Sequence, residues 1–221
     1  MNEGGGSSGD RARRVRDLPA PRRTQGAFGP AMRWVFTWPY RVALAGLYRA
    51  GVKPWHLTVA SLLANALIGW LLLTGRRLVP GLLLMPAGLF DVFDGGLARL
   101  RGEEKRSGAF LDAVLDRASD AILFSCLFWS LAESDLDLEA ALALVTLVIS
   151  LAVSHVRAEA EAVGIRLTEG LFQRLERYVA LILGLTIPGA LLPALILLAA
   201  LGGLTLFQRT ASALRRAPAQ E

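Results

Sequence analysis

The stretch DVFDGGLARLRGEEKRSGAFLDAVLDRASD, residues 91–120, sets four aspartates against or inside long apolar runs: Asp91, Asp94, Asp112 and Asp116. An ionised carboxylate in such surroundings is costly, so each of the four must be protonated, paired with a cation or holding a metal. Asp91, Asp94 and Ala98 follow i, i+3, i+7 and share one helical face; Gly108, Asp112 and Asp116 follow i, i+4, i+8 on another. The link between them, RGEEKRSG, is short and polar, which predicts two antiparallel neighbouring helices whose acidic stripes face each other as a four-carboxylate pocket. Hard oxygen donors without a Cys or His cluster favour Mg²⁺, Mn²⁺ or Ca²⁺ over zinc. The spacing is not that of an EF-hand loop. The competing structural explanation is a set of helix–helix salt bridges. Gly95, Gly96, Ala98 and Gly108 fit either tight helix packing or a floor cleared for a phosphorylated ligand.

The surrounding composition gives these acids their setting. The chain has 221 residues, 53% of them hydrophobic, with a net charge of +5, which points to an all-α integral membrane protein of one domain. Its arginines gather at the ends of apolar runs, as membrane topology requires, so no nucleic-acid partner is expected. Cys126 is the sole cysteine and lies in an apolar run, where it is read as a small packing residue.

Residues 1–26, rich in Gly, Ser, Arg and Pro, are expected to form a disordered cytoplasmic tail; no short apolar core in them marks a signal peptide. Residues 27–50 mix Trp34, Trp38 and Tyr40 with Arg33, Arg41 and Arg49, the pattern of an interfacial amphipathic helix, with Pro39 as a point of bending. Six candidate spans follow within 51–210, at about 57–75, 79–100, 108–132, 138–162, 175–188 and 190–208, against the roughly 20 residues a bilayer core needs. The fifth is weak, because Arg174, Glu176 and Arg177 occupy its start. A second cytoplasmic tail is expected at 211–221. Both termini inside would leave Lys53, Arg101, Lys105, Arg106, Arg166 and the arginines of 209–216 in the cytoplasm; the outer loops would hold Arg76, Arg77 and the acidic Glu133–Asp137 turn. That asymmetry obeys the positive-inside rule and sets the aspartates at the cytoplasmic side.

The pattern Asp91-x-x-Asp94-Gly95-x-x-Ala98-Arg99, eight residues, Gly108-x-x-x-Asp112-x-x-x-Asp116 resembles the signature of the CDP-alcohol phosphotransferases at each fixed position. The resemblance extends over roughly residues 28 to 210 and implies a homodimeric enzyme that moves a phosphatidyl group from CDP-diacylglycerol to an alcohol and releases CMP. It implies that Asp91, Asp94, Asp112 and Asp116 bind Mg²⁺ or Mn²⁺, two ions, and that Asp116 is the general base. Thr58, Asp94, Gly95, Ala98, Arg99 and Gly108 would meet the CDP-lipid. Arg99 would contact phosphate or hold an aspartate; Thr58 would line the nucleotide site or merely open its helix.

The segment HVRAEAEAVGIRLTEGLFQRLERY, residues 155–178, is similar to the phosphatidylinositol phosphate synthase branch in its Ala-Glu-Ala-x-Gly run and its Glu176-Arg177 pair. Arg157, Arg174 and Arg177 are the expected contacts for an acceptor phosphate, since guanidinium groups bind phosphate bidentately; positive-inside anchoring is the plainer explanation. His155 is a weaker candidate contact, more simply explained by a hydrogen bond to a neighbouring helix, and Asp120 extends the stripe as structural support. Glu159 stands where relatives of that branch tend to carry a basic residue, which makes glycerol 3-phosphate, and so a phosphatidylglycerophosphate synthase, the competing assignment. A divalent-cation transporter is the alternative of a different class, but the spans become apolar beyond Asp120.

Overall fold

The computed structural model describes residues 29–102, 106–165, 167 and 174–216, with side chains for 37–102, 107–165, 167 and 176–216. The expected N-terminal tail, Lys105 and Arg166 lie outside the described residues. Among those described, the secondary structure is entirely helical: α1 Gly29–Arg49, α2 Pro54–Leu73, α3 Leu78–Arg101, α4 Arg106–Ala132, α5 Asp137–Ala162, α6 Arg174–Thr186 and α7 Leu191–Arg216. The boundaries follow local chemistry. Pro54 occupies the first turn of α2, where its missing N–H costs nothing, and the Lys53 N–H donates to His56 Nδ1 at 3.3 Å. Gly102 ends α3 in the left-handed region, φ 67°, a conformation that lets its N–H close on the last carbonyls without a Cβ clash.

Among the described residues, four helices, α2, α3, α5 and α7, are long and apolar enough to cross a membrane. The other two expected spans differ for separate reasons. α4 has the length, but Arg106, Asp112, Asp116, Arg117 and Asp120 crowd its first half. The described part of α6 has 13 residues, about 20 Å at 1.5 Å per residue, and the residues just before it lie outside those described. α1 runs unbroken through Pro39. At the other end, α7 continues to Arg216 instead of stopping near 208, because Ala211, Ala213, Leu214 and Arg215 are good helix formers. Residues 211–216 are therefore helical.

α2 to α7 close into a ring in the order α2, α3, α6, α7, α5, α4, each packed on the next, with α1 against α3. Among the described residues, α3 and α4 bring no Cα atoms within 8 Å of each other; each packs on α2 instead. The predicted antiparallel neighbours are thus two flanks of one wall, because the small-residue surface of α2 serves both. Ile68, Leu72, Leu84, Leu123, Leu131 and Leu195 fill the end of the ring remote from the aspartates. Tyr40, Leu44, Leu57 and Leu97 pin α1 to the opposite end, each buried side chain contributing about 2 kcal/mol. The ends of α3, α5 and α7 and the starts of α2, α4 and α6 share that second end, so residues far apart in sequence meet there.

Candidate active site

The carboxylates stand as two pairs on facing helices. Asp94 on α3 is buried, and its Oδ2 accepts a 2.9 Å hydrogen bond from the Thr58 hydroxyl on α2. The charges of Asp112 on α4 and of Asp91 one turn earlier both act on it. Asp91, Asp112 and Asp116 are half-buried. Among the described residues, no three His, Cys, Asp or Glu side chains stand close enough to hold one ion.

The small residues around the acids divide by position. Gly108 is exposed at the start of α4, whereas Gly95 and Ala98 are half-buried on α3. Arg99 folds back along α3, its Nη1 3.9 Å from where a Gly95 side chain would begin. Thr58 does more than open its helix, since it holds Asp94 directly. Its hydroxyl also reaches the Pro54 carbonyl at 3.3 Å.

The second half of the site lies across α4. Arg177 on α6 crosses the ring interior to donate to Asp120 Oδ2 at 2.9 Å and to the Ser150 hydroxyl; Ser150 in turn donates to Asp120 at 2.6 Å. This ties α4, α5 and α6 together and confirms Asp120 as support, while committing Arg177 Nη1 to it. Arg157 instead pairs with Glu161 at 2.9 Å on the exposed face of α5. His155 is exposed, 3.9 Å from Glu159 of its own helix, and among the described residues bonds no neighbouring helix. The Arg174 side chain lies outside the described residues.

One arginine at this end escaped the sequence reading. Arg209 is buried on α7, its Nη1 3.4 Å from the Val153 carbonyl of α5. Its signal was present: Leu191, Leu195, Leu198, Gly202, Thr205 and Arg209 form one continuous buried helical stripe. Grouping Arg209 with the terminal basic cluster hid that periodicity.

The donor chemistry suits a hard divalent cation. Asp94 is buried with a hydroxyl donor and two further carboxylates acting on it, and no cationic side chain among the described residues forms an ion pair with it. Oxygen donors alone, without a Cys or His cluster, are what Mg²⁺ and Mn²⁺ sites offer.

A family model described as CDP-alcohol phosphatidyltransferase matches residues 52–210, which spans the six-helix ring and both aspartate pairs. The chain belongs to this family. Among curated relatives, the phosphatidylinositol phosphate synthase of Mycobacterium marinum is 37% identical over 63% of this chain and 60% of its own length. The chain thus spans about three fifths of that relative. The archaetidylinositol phosphate synthase of Methanothermobacter thermautotrophicus is 36% identical over 62% of this chain and 70% of its own. A Mycobacterium tuberculosis phosphatidylinositol phosphate synthase, solved with CDP-DAG bound, is similar over 81% of this chain and 95% of that one, at 32% identity and a TM-score of 0.72. The same enzyme has been solved with manganese and citrate, again at a TM-score of 0.72 and 32% identity, over 81% of this chain and 90% of that one. As a member of the CDP-alcohol phosphatidyltransferases, the chain pairs the family signature with a fold shared across nearly the whole ring.

Proposed function

We propose that the chain is a phosphatidylinositol phosphate synthase: it transfers the phosphatidyl group of CDP-diacylglycerol to inositol phosphate and releases CMP. The observation that carries this reading is the division of the site by α4. The charge of Asp112 acts on Asp94, which Thr58 holds, on one side, and Asp120 binds Arg177 on the other. Asp116 lies one turn from each, between a nucleotide half and an anion-binding half.

In this reading Asp116 takes the proton of the acceptor hydroxyl as its oxygen attacks the lipid phosphorus. The bond from that phosphorus to the bridging oxygen breaks, and CMP leaves with the bridging oxygen. Bound Mg²⁺ or Mn²⁺, two ions held by Asp91, Asp94, Asp112 and Asp116, would neutralise the pyrophosphate and the leaving group. Thr58 keeps Asp94 oriented. Gly95, Ala98 and Gly108 leave room for the nucleotide, and Arg99 faces its phosphates. Arg157, Arg174 and Arg177 would receive the acceptor phosphate. Arg177 commits Nη1 to Asp120 and Ser150 and brings its other guanidinium donors to the acceptor.

The same reading places six helices in the membrane with α1 at the interface, both termini and the site on the cytoplasmic side, and two chains in a homodimer. The relatives named as synthases of inositol-phosphate lipids, at 36–37% identity, support the acceptor. The test is to give the purified chain CDP-diacylglycerol and Mg²⁺ with inositol phosphate, glycerol 3-phosphate or inositol, and to identify the lipid formed by mass. Phosphatidylinositol phosphate as the dominant product is expected; phosphatidylglycerophosphate would replace the acceptor assignment, and no lipid from any acceptor would remove the reading.

A further inference from the structure

The interfacial helix supplies a side chain to the nucleotide half of the site. Tyr40 of α1 is buried, and its ring lies parallel to that of Phe93 with centroids 5.3 Å apart. Phe93 immediately precedes Asp94, so the stack fixes Tyr40 beside the acidic turn of α3. The Tyr40 hydroxyl rests on the backbone of Gly96: any Cβ there would overlap it. This is a close approach that only glycine permits.

At that point the hydroxyl is acted on by the charges of both Arg99 and Asp94. Arg99 acts on the hydroxyl by its charge and from close to hydrogen-bond range, yet no hydrogen bond to the hydroxyl is complete among the described residues. A buried, unsatisfied hydroxyl is costly, and a phenylalanine would fill the same space and keep the stack without that cost. The hydroxyl is therefore out of place in a purely structural contact. It is in place beside a guanidinium that has to be aimed.

We propose that Tyr40 is a positioning residue for CDP-lipid binding, acting through Arg99: its hydroxyl oxygen accepts an Arg99 N–H when the pyrophosphate is bound and fixes the guanidinium over Gly95. The ligand class is a nucleoside diphosphate ester. The inference rests on the proposed function for that ligand. It makes α1 part of the active site as well as a membrane-surface anchor.

Tyr40→Phe separates the two roles, because it preserves the ring stack and the Leu44 and Leu97 packing. Thermal unfolding in detergent should occur at the native temperature or above it, since the uncompensated hydroxyl is gone. The KM for CDP-diacylglycerol should rise about tenfold, the effect of one lost hydrogen bond to a charged group, with the acceptor KM unaffected. In an Arg99→Ala background, Tyr40→Phe should have no further effect, since a residue that acts through another shows complete coupling. An unchanged KM in Tyr40→Phe, an equal rise for both substrates, or a full tenfold effect in the Arg99→Ala background would overturn the inference. CDP-diacylglycerol binding without acceptor keeps the two readings apart. If the native chain binds it and Tyr40→Phe binds equally well, the Tyr40 role alone fails; if the native chain does not bind it, the proposed function fails first.

Discussion

Thr58 on α2 donates its hydroxyl hydrogen to Asp94 Oδ2 on α3 at 2.9 Å, and both groups are buried. That bond joins the helix serving as a common wall to one of the two that carry the acids. Thr58→Val keeps the shape and removes the donor. CMP release should fall about tenfold, ~1.4 kcal/mol of barrier, with the unfolding temperature lowered only slightly. Native activity in this variant would show that Asp94 is held by other means.

Asp116→Asn should abolish CMP release while the protein elutes and unfolds in detergent as the native chain does. The amide is isosteric but has no basic oxygen to take the acceptor proton. Full activity would remove Asp116 from the base role.

The Arg177–Asp120 pair joins helices that are not neighbours in the ring. Asp120→Ala leaves the guanidinium without its carboxylate in a poorly solvated place and should destabilise by about 3 kcal/mol. Arg177→Ala should cost a comparable amount, and the double variant clearly less than the sum, as measured by denaturation cycles in detergent. Additive losses would mean that the pair is not a unit.

Arg174→Ala should raise the KM for the phosphorylated acceptor more than that for CDP-diacylglycerol, read from initial rates of CMP release. Arg157→Ala should have a smaller effect, because Arg157 is exposed and already paired with Glu161. Equal changes for the two substrates would take Arg174 out of the acceptor half.

Much of this architecture was legible because single residues carry it. Gly51 and Pro54, Gly75, Gly102 and Gly189 punctuate the chain, and each helix between them begins or ends within a few residues of its sequence signal. The aspartate spacing was legible too, since helical periodicity alone puts Asp91 with Asp94 and Asp112 with Asp116. Which helices pack together was not. A short link makes α3 and α4 consecutive, but only the packed structure shows α2 under both. Side-chain reach was hidden for the same reason: the sequence offers Arg177 to an acceptor phosphate, and only the ring shows Asp120 and Ser150 within its range, while Tyr40 reads as an interfacial aromatic until it meets Gly96. Arg209 was the exception, since its buried stripe could have been followed to its end.

The most direct test of the central claim is CMP release by the purified full-length chain given CDP-diacylglycerol, inositol phosphate and either Mg²⁺ or a chelator. The account predicts CMP released in step with a new phosphatidylinositol phosphate, stopped by chelation and restored when Mg²⁺ or Mn²⁺ is returned. Release that persists in the chelator, or no release with any phosphorylated alcohol, would contradict it.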